Sequence, residues 1–308
     1  MTLHKTATIR TITLFCAYLF LTCYNYSFGQ SSKVVEYMNL SYIENQPFNK
    51  LQSLNLVLPD TNCNCPLLLW IGGGAWSYVD KDMEMNLARN IAKDGIAVAS
   101  VGHRLSSAIW KDSTMKTGIT HPAHIKDIAK SFKWLVENAE KYGYSKKNIF
   151  VGGFSSGAHL TALLGLDSTY LSSEGLTLGN IKGLIPIAGA YDILHYYNVF
   201  KNSKTSSAMA DTHVKAVFGQ TETDFINASP TNYLKFLKIP ILLISENTTY
   251  NYTKIFEDKI RETEFRDFET IHIHKLGHGQ LWRHLSNEEN SPYKKTITNF
   301  IHNHSTTK

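Results

Sequence analysis

Gly153-Phe154-Ser155-Ser156-Gly157 is the stretch that decides the fold, because it separates an apolar run from a helical run. Ile149–Gly152 before it is typical of a buried strand, and Ala158–Leu166 after it is typical of a helix. A Gly-x-Ser-x-Gly pattern in this context indicates a sharp strand-to-helix turn that lifts a serine hydroxyl above the sheet. The start of the following helix favours developing negative charge. The pattern predicts Ser155 as a nucleophile, and a plain glycine turn is the alternative.

Strand and helix patterns alternate on both sides of this turn. Such alternation predicts βαβ units and an α/β fold, with a mostly parallel central sheet and helices on both faces. The mixed, aromatic-rich stretch 190–235 could form a small cap over the site. The predicted strands are Leu51–Leu58 (an antiparallel edge strand), Cys65–Ile71, Ile96–Val101, Ile149–Gly152, Ile181–Ala188, Ile239–Ile244 and Phe268–Leu276, and the predicted helices are Met83–Lys93, Ala123–Tyr142, Ala158–Leu166 and one within Asn287–His302.

The composition is that of a globular protein with a modest positive charge. Hydrophobic residues make up 43% of the 308 residues and charged residues 19%, which argues against disorder. The formal charge of +5 falls to +3 without Lys5 and Arg10. A charge this small does not indicate a nucleic-acid partner.

Residues 1–29 have the pattern of a secretory signal peptide. Two cations precede the apolar run Ile12–Leu21, no acidic residue is present, and Ser27 and Gly29 put small side chains before residue 30. The apolar run is too short to predict a stable membrane span. We therefore predict a signal peptide over 1–29 and one domain over 30–308, secreted or periplasmic after cleavage. Lipoprotein anchoring at Cys23 is the alternative.

The triplet Gly72-Gly73-Gly74 directly follows a predicted strand. Successive glycines leave backbone N–H groups free to point at an oxyanion, and one such donor is commonly worth about 3–4 kcal/mol of transition-state stabilisation. A phosphate-binding loop is the alternative, but no Gly-Lys-Ser/Thr follows the triplet.

Several further segments carry a resemblance to a known family over roughly residues 50–300. They are Gly72-Gly73-Gly74-Ala75-Trp76, Val101–Ser106, His121–Ile128, Ser155–Leu160 and Ala188–Asp192. With these segments the chain resembles the esterase/lipase branch of the α/β-hydrolases, close to bifunctional acetylxylan/feruloyl esterases and kynurenine-formamidase-like enzymes. The resemblance implies an α/β-hydrolase fold and a carboxylic-ester hydrolase of the serine esterase type.

The chain departs from the family pattern at two positions. Gly72 stands where the family usually has His, and His103 stands where it usually has Tyr. The family's oxyanion donors are backbone N–H groups, so a glycine at 72 need not abolish the oxyanion hole. The resemblance implies donors at Gly73, Gly74 and Ser156.

The order serine, acid, histidine points to the other two catalytic residues. His278 lies in a glycine-flanked loop after the last predicted strand, where the resemblance implies the catalytic base. Glu246 is the only carboxylate directly after the strand Ile239–Ile244, and the family's usual Asp is missing there. We predict Glu246 as the triad acid, with Asp258 as an alternative. Asp127 and Asp192 are interpreted as structural.

These residues together predict ester hydrolysis through an acyl-enzyme on Ser155, with Trp76 and Tyr191 in the substrate pocket and without a metal or an organic cofactor. The expected substrate is a small-molecule or carbohydrate ester, with acetyl or feruloyl esters of polysaccharides fitting an exported protein. An amide or formamide hydrolase and a non-catalytic binding protein on a hydrolase scaffold are the alternatives.

Overall fold

The computed structural model describes residues 33–60 and 64–306, so the predicted signal peptide, Cys23 and Cys63 lie outside the described residues. The strands are β1 (Val34–Ser41), β2 (Ser53–Pro59), β3 (Cys65–Ile71), β4 (Ala97–Val101), β5 (Tyr144–Phe154), β6 (Gly183–Ile187), β7 (Ile241–Glu246) and β8 (Phe268–Ile273). The α-helices are α1 (Met85–Ala92), α2 (Ala123–Tyr142), α3 (Ser156–Leu166), α4 (Ser168–Ser172), α5 (Ile193–Lys201), α6 (Ala216–Phe218), α7 (Glu222–Asn227), α8 (Tyr250–Arg261), α9 (His278–Asn287) and α10 (Pro292–His304). Short 3₁₀-helices span Lys50–Gln52, Lys81–Glu84, Leu178–Asn180 and Pro230–Phe236, and a π-helix spans Ala210–Lys215.

The strands form one sheet in the order β1-β2-β4-β3-β5-β6-β7-β8. The pairs β1–β2 and β2–β4 are antiparallel, and every pair from β4 to β8 is parallel. The predicted mostly parallel sheet is therefore confirmed. Parallel strands end at the same edge of a sheet, so the loops after β3, β5, β6, β7 and β8 meet at one end, where such folds build their sites.

The prediction of an edge strand at residues 51–58 is wrong in one respect. The strand β2 is antiparallel as expected, but β1 pairs with its outer side and occupies the edge. Every residue of β2 is buried. The Asn55 side chain, which made the pattern alternate, accepts from the Asn39 N–H at 2.9 Å and donates to Asp82 at 2.7 Å. The alternation thus reflects a hydrogen-bonded buried polar residue and not a solvent-facing side of the strand.

Alternate residues of each central strand supply two hydrophobic layers, one on each face of the sheet. In β3, Leu67, Leu69 and Ile71 pack in the layer that also holds side chains of α2, α3 and α8. Leu68 and Trp70 point to the other layer, which holds side chains of α1, α9 and α10. Helices therefore cover both faces, as predicted, and the apolar run of β3 is explained by burial on both sides.

The stretch between β6 and β7 folds mostly as short helices, from α5 to the 3₁₀-helix Pro230–Phe236. None of the helices in residues 33–60 and 64–306 is long and apolar enough to cross a membrane.

Candidate active site

The predicted nucleophile stands on a strained turn between β5 and α3. Ser155 has φ 56° and ψ −116°, a conformation that residues other than glycine rarely adopt. Its N–H donates to the Ile187 carbonyl at 2.8 Å, which ties the turn to the end of β6. A Cβ at Gly157 would lie 2.0 Å from the Ile71 carbonyl oxygen, so the second motif glycine is required by close backbone approach.

A histidine and a carboxylate form a hydrogen-bonded relay with this serine. The His278 Nε2 lies 2.9 Å from the Ser155 Oγ, and the His278 Nδ1 lies 3.0 Å from the Glu246 Oε1. His278 is the first residue of α9, and its ring packs on Phe154 with the ring centroids 4.7 Å apart. The structure thus brings together the three residues predicted as nucleophile, base and acid. In this geometry Nδ1–H donates to the carboxylate, and Nε2 accepts from the serine hydroxyl.

Glu246 is held as a carboxylate at the end of β7. Its side chain is fully buried and accepts hydrogen bonds from the backbone N–H groups of Thr248 and Thr249, the latter at 3.1 Å. Burial alone would raise the pKa of Glu246, but the hydrogen bonds from His278, Thr248 and Thr249 outweigh it, so the pKa lies below its usual value. The group is therefore charged at neutral pH and can stabilise an imidazolium.

The other candidate carboxylates have different partners. Asp258 pairs with Lys254 on the same helix. Asp192 accepts from the His195 N–H at 2.9 Å as the N-cap of α5 and from Lys259 at 3.1 Å. Asp127 is fully buried and binds the Arg104 guanidinium through two hydrogen bonds of 2.9 and 2.8 Å. These contacts are those of structural residues.

The glycine loop lies against the nucleophile turn. A Cβ at Gly73 would lie 3.0 Å from the Phe154 ring and 3.2 Å from the Ser155 Cβ. The N–H groups of Gly73 and Gly74 have no backbone or side-chain acceptor among the residues that the structure describes. Ser156 is the first residue of α3, and the N–H of a first helical residue has no acceptor within its own helix. The backbone N–H groups of the three predicted oxyanion donors are thus free to bind a ligand. Gly73 lies directly beside the Ser155 side chain, and Ser156 is the next residue in the chain.

A cavity of about 290 Å³ opens beside the relay, and aromatic side chains form much of its wall. Its lining residues are Ala75, Trp76, Ser155, Ser156, Ala188, Ala190, Tyr196, Phe200, Thr248, Thr249, Tyr252 and His278. The sequence analysis does not predict Phe200, Thr248, Thr249 or Tyr252 as site residues. The last three of these lie within six positions after Glu246 in the chain. A larger groove of about 1190 Å³ lies at the opposite ends of the strands, where β3 and β5 begin, and none of the relay residues lines it.

Trp76 is fixed in the cavity wall by a buried histidine. Its indole N–H donates to the His159 Nδ1 at 3.3 Å, and the His159 Nε2–H donates to the Ala228 carbonyl at 2.7 Å. Burial lowers the pKa of His159 to about 3, so the ring is neutral and its tautomer follows from these two partners. This histidine therefore supports the wall of the pocket.

Tyr191, predicted in the substrate pocket, and His103, a departure from the family pattern, are both buried in the core. Tyr191 does not line the cavity. It is fully buried, and its ring stacks on Phe256 with the centroids 4.4 Å apart, because the chain after β6 turns this side chain into the core beneath α8. His103, the second departure from the family pattern, is also fully buried and donates from Nδ1 to the Arg104 carbonyl at 2.7 Å.

Over residues 33–60 and 64–306, no group of three or more His, Cys, Asp or Glu side chains is arranged to hold a metal ion.

The chain is similar to several known proteins. The kynurenine formamidase of Salmo salar is 22% identical over 220 residues, which cover 69% of this chain and 65% of that protein. Esterase LipC of Mycobacterium tuberculosis is 28% identical over 134 residues, which cover 41% of this chain and 30% of LipC. The chain thus matches less than two thirds of the length of these curated relatives. The crystal structure of esterase B from Lactobacillus rhamnosis superposes with a TM-score of 0.70 at 19% identity, covering 89% of this chain and 85% of that one, and shows the same fold.

The BD-FAE family profile matches residues 54–249, which is more than half of the chain and includes the glycine loop, the serine turn and Glu246. The protein therefore belongs to the BD-FAE family, in the esterase branch of the α/β-hydrolases.

Proposed function

We propose that the protein is a serine hydrolase that cleaves carboxylic esters through an acyl-enzyme on Ser155. The observation that carries this proposal is the continuous relay from Ser155 through His278 to Glu246, with distances of 2.9 and 3.0 Å. Ser155 and His278 line a cavity, and the backbone N–H groups of Gly73, Gly74 and Ser156 are not engaged in other hydrogen bonds among the described residues. A non-catalytic binding protein would have no need for a strained serine in hydrogen-bond reach of a histidine that is itself paired with a buried carboxylate.

The reaction proceeds in two halves. The Ser155 Oγ attacks the ester carbonyl carbon while the His278 Nε2 takes the hydroxyl proton, and the N–H groups of Gly73, Gly74 and Ser156 stabilise the oxyanion. His278 then gives this proton to the departing alcohol, and the C–O bond to the alcohol breaks. Water next attacks the acyl-enzyme, gives a proton to His278 and releases the acid, and the proton returns to Ser155. Glu246 holds the imidazole in the required tautomer throughout.

The cavity favours short or planar acyl groups over long aliphatic chains. Its 290 Å³ is at the lower end of the range for ligand pockets, about 300–1,000 Å³. Trp76, Tyr196, Phe200 and Tyr252 offer ring faces to an acyl group. We propose acetyl to aryl acyl esters as the substrate class, including acetyl or feruloyl esters of polysaccharides.

An aryl formamide is the second candidate substrate, because the salmon relative, matched over 69% of this chain, is a kynurenine formamidase. The same relay would attack a formamide carbonyl. The alternatives differ in the leaving group, an amine instead of an alcohol, which His278 would protonate in the same way.

The test combines labelling with a substrate panel on the chain from residue 30 onward. A fluorophosphonate probe is expected to label the wild type and not Ser155→Ala, and Ser155→Ala is expected to lose several orders of magnitude in kcat while keeping the fold. The panel contains acetyl, butyryl, dodecanoyl and feruloyl esters and an aryl formamide. Retention of more than about a tenth of the activity by folded Ser155→Ala would contradict the nucleophile assignment.

We further propose that residues 1–29 act as a signal peptide and that residues 30–308 form the mature domain in a secreted or periplasmic protein. The supporting observation is the cationic start, apolar run and small residues before residue 30. N-terminal sequencing of the exported protein is expected to begin at Gln30. Lipid labelling that is lost in Cys23→Ala would instead indicate anchoring at Cys23.

A further inference from the structure

A buried glutamate fills the space beside Gly72, the position where the family usually has histidine. Glu84 ends the 3₁₀-helix Lys81–Glu84 just before α1, and only 3% of its surface is exposed. A Cβ at Gly72 would lie 3.0 Å from both the Cγ and the Oε1 of Glu84. The Glu84 side chain therefore occupies the space that a side chain at position 72 would need.

The Glu84 carboxyl joins two tryptophans that belong to different parts of the site. The Trp70 indole N–H donates to Oε2 at 2.9 Å, and the Trp282 indole N–H donates to Oε1 at 3.3 Å. Trp70 lies in β3, two residues before the glycine loop. Trp282 lies in α9, four residues after His278 and hence on the same side of the helix one turn later.

This arrangement is unusual for a charged side chain in a core. A buried carboxylate is normally paired with a cation, because its desolvation is costly. Among the ion pairs of the described residues, none involves Glu84, and its hydrogen bonds come from the two indoles. Burial accordingly raises the pKa of this carboxyl, and the indole donors offset only part of the effect. The geometric result is a direct bridge between the strand that leads into the glycine loop and the helix that carries the base.

We propose that Glu84 is a positioning residue that fixes α9, and with it His278, relative to the glycine loop through Trp282 and Trp70. The inference rests on the proposed function of His278 as the base. The relay needs Nε2 of His278 within hydrogen-bond reach of Ser155, and a displacement of about 1 Å can lower a rate by 10². Releasing α9 from Glu84 therefore lowers kcat, whereas the acyl cavity, which Glu84 does not line, keeps its affinity for substrate.

The experiment compares Glu84→Gln and Trp282→Phe with two control variants on α2, Glu137→Gln at an exposed carboxylate and Trp134→Phe at a half-buried indole. The first two variants are expected to lower kcat about tenfold or more with KM within about twofold of wild type. The controls remove a carboxylate and an indole N–H elsewhere and are expected to keep wild-type kcat. If one bridge is the cause, the double variant Glu84→Gln/Trp282→Phe loses little more than Trp282→Phe alone.

NMR supplies a readout that does not depend on turnover. The chain has five tryptophans, so the indole N–H region is simple. Glu84→Gln is expected to shift the Trp70 and Trp282 indole resonances and the His278 ring resonances. If Glu84→Gln fails to fold, Trp282→Phe, which removes the indole N–H but keeps an aromatic ring, decides the question through its kcat and its His278 resonances.

Two outcomes separate this inference from the proposed function. Folded variants that keep wild-type kcat and wild-type His278 resonances while losing only stability would overturn the positioning role and leave the esterase proposal intact. A wild type that neither hydrolyses the ester panel nor reacts with a fluorophosphonate would overturn the proposed function. In that case the His278 resonances alone test the bridge, and their constancy in Glu84→Gln would overturn it as well.

Discussion

Glu246, the proposed triad acid, is one methylene longer than the Asp that the family pattern leads one to expect after this strand. It is the last residue of β7, and its longer side chain reaches the His278 Nδ1 at 3.0 Å. The same carboxylate accepts from the backbone N–H groups of Thr248 and Thr249, which curl the loop around it. The hydrogen bonds from Thr248 and Thr249 thus hold the longer side chain of Glu246 in place.

Glu246→Gln is expected to keep the fold and lower kcat by about 10²–10⁴. The amide oxygen of glutamine can still accept from the loop N–H groups, so the loop survives. The amide nitrogen, however, is a donor facing Nδ1 and favours the wrong imidazole tautomer, and the negative charge that stabilises imidazolium is lost. Steady-state hydrolysis of an acetyl ester, with circular dichroism to check the fold, measures the effect.

Asp258→Asn and Asp192→Asn are the controls for this prediction, since Asp258 is the alternative acid and Asp192 is a carboxylate outside the relay. Both are expected to retain wild-type kcat, because these carboxylates bind Lys254 and Lys259. Wild-type turnover by Glu246→Gln together with collapse of either control would show that the acid is misassigned.

At the level of elements, the sequence predicts those segments that carry both a pattern and a boundary signal. Helix α2 has the predicted bounds Ala123–Tyr142, because its apolar stripe ends at Gly143, which adopts φ 80° as a C-cap. Strand β1 was not predicted. Most of its side chains are exposed, and Asn39 with φ 57° interrupts the pairing, so no regular alternation marks it.

In the candidate site, too, some residues could be predicted from the sequence and others could not. Ser155, Glu246 and His278 each lie at or after the end of a strand, in the chain order of the family that the sequence resembles, and these positions were enough to predict them. The cavity wall depends on how α5 and α8 pack, which no short pattern encodes, and therefore Phe200 and Tyr252 were missed. Tyr191, an aromatic residue predicted in the pocket, packs against Phe256 and points into the core instead.

The packing of Gly72 against Glu84 predicts how a larger side chain at the end of β3 would affect stability. Gly72→His is expected to destabilise the protein by about 1–3 kcal/mol, the usual range for overpacking, and to lower kcat. Its Cβ would meet the Glu84 side chain at 3.0 Å, and this side chain is held by two indoles and cannot move freely. Urea unfolding with an unchanged m-value measures the loss of stability.

The double variant Gly72→His/Glu84→Ala is the control that identifies the clash. It is expected to recover part of the stability lost by Gly72→His, because the space of the carboxyl becomes available to imidazole. A Gly72→His protein as stable as wild type would show that Glu84 does not fill this position in solution.

At the level of the whole molecule, four histidines are buried in the core over residues 33–60 and 64–306. His103, His124, His159 and His213 are each at most 1% exposed, and His121 is half-buried. Their partners suit neutral rings: His213 Nε2 lies 3.2 Å from the Tyr196 hydroxyl, and His124 Nε2 lies 2.8 Å from the Ser106 hydroxyl. Burial lowers the pKa of His121 and His213 to about 4 and that of His159 to about 3, and it lowers the pKa of His103 and His124 as well.

This set of histidines predicts that stability falls steeply in mildly acidic solution. The pKa of an unfolded histidine is about 6.5, so the unfolded chain binds more protons than the folded one between that pH and the depressed folded values. The free energy of unfolding therefore rises with pH in this window and is lost as pH falls below about 6.5. His121, His159 and His213 contribute at most about 4 kcal/mol per pH unit to this slope, and His103 and His124 add to it in the same direction. Urea unfolding at intervals from pH 8 to pH 5 measures this slope of the free energy of unfolding against pH. His213→Gln is expected to reduce the slope by about 1.4 kcal/mol per pH unit, the contribution of one proton. A free energy of unfolding that stays constant from pH 7.5 to pH 5 would mean that these histidines are not held neutral by the fold.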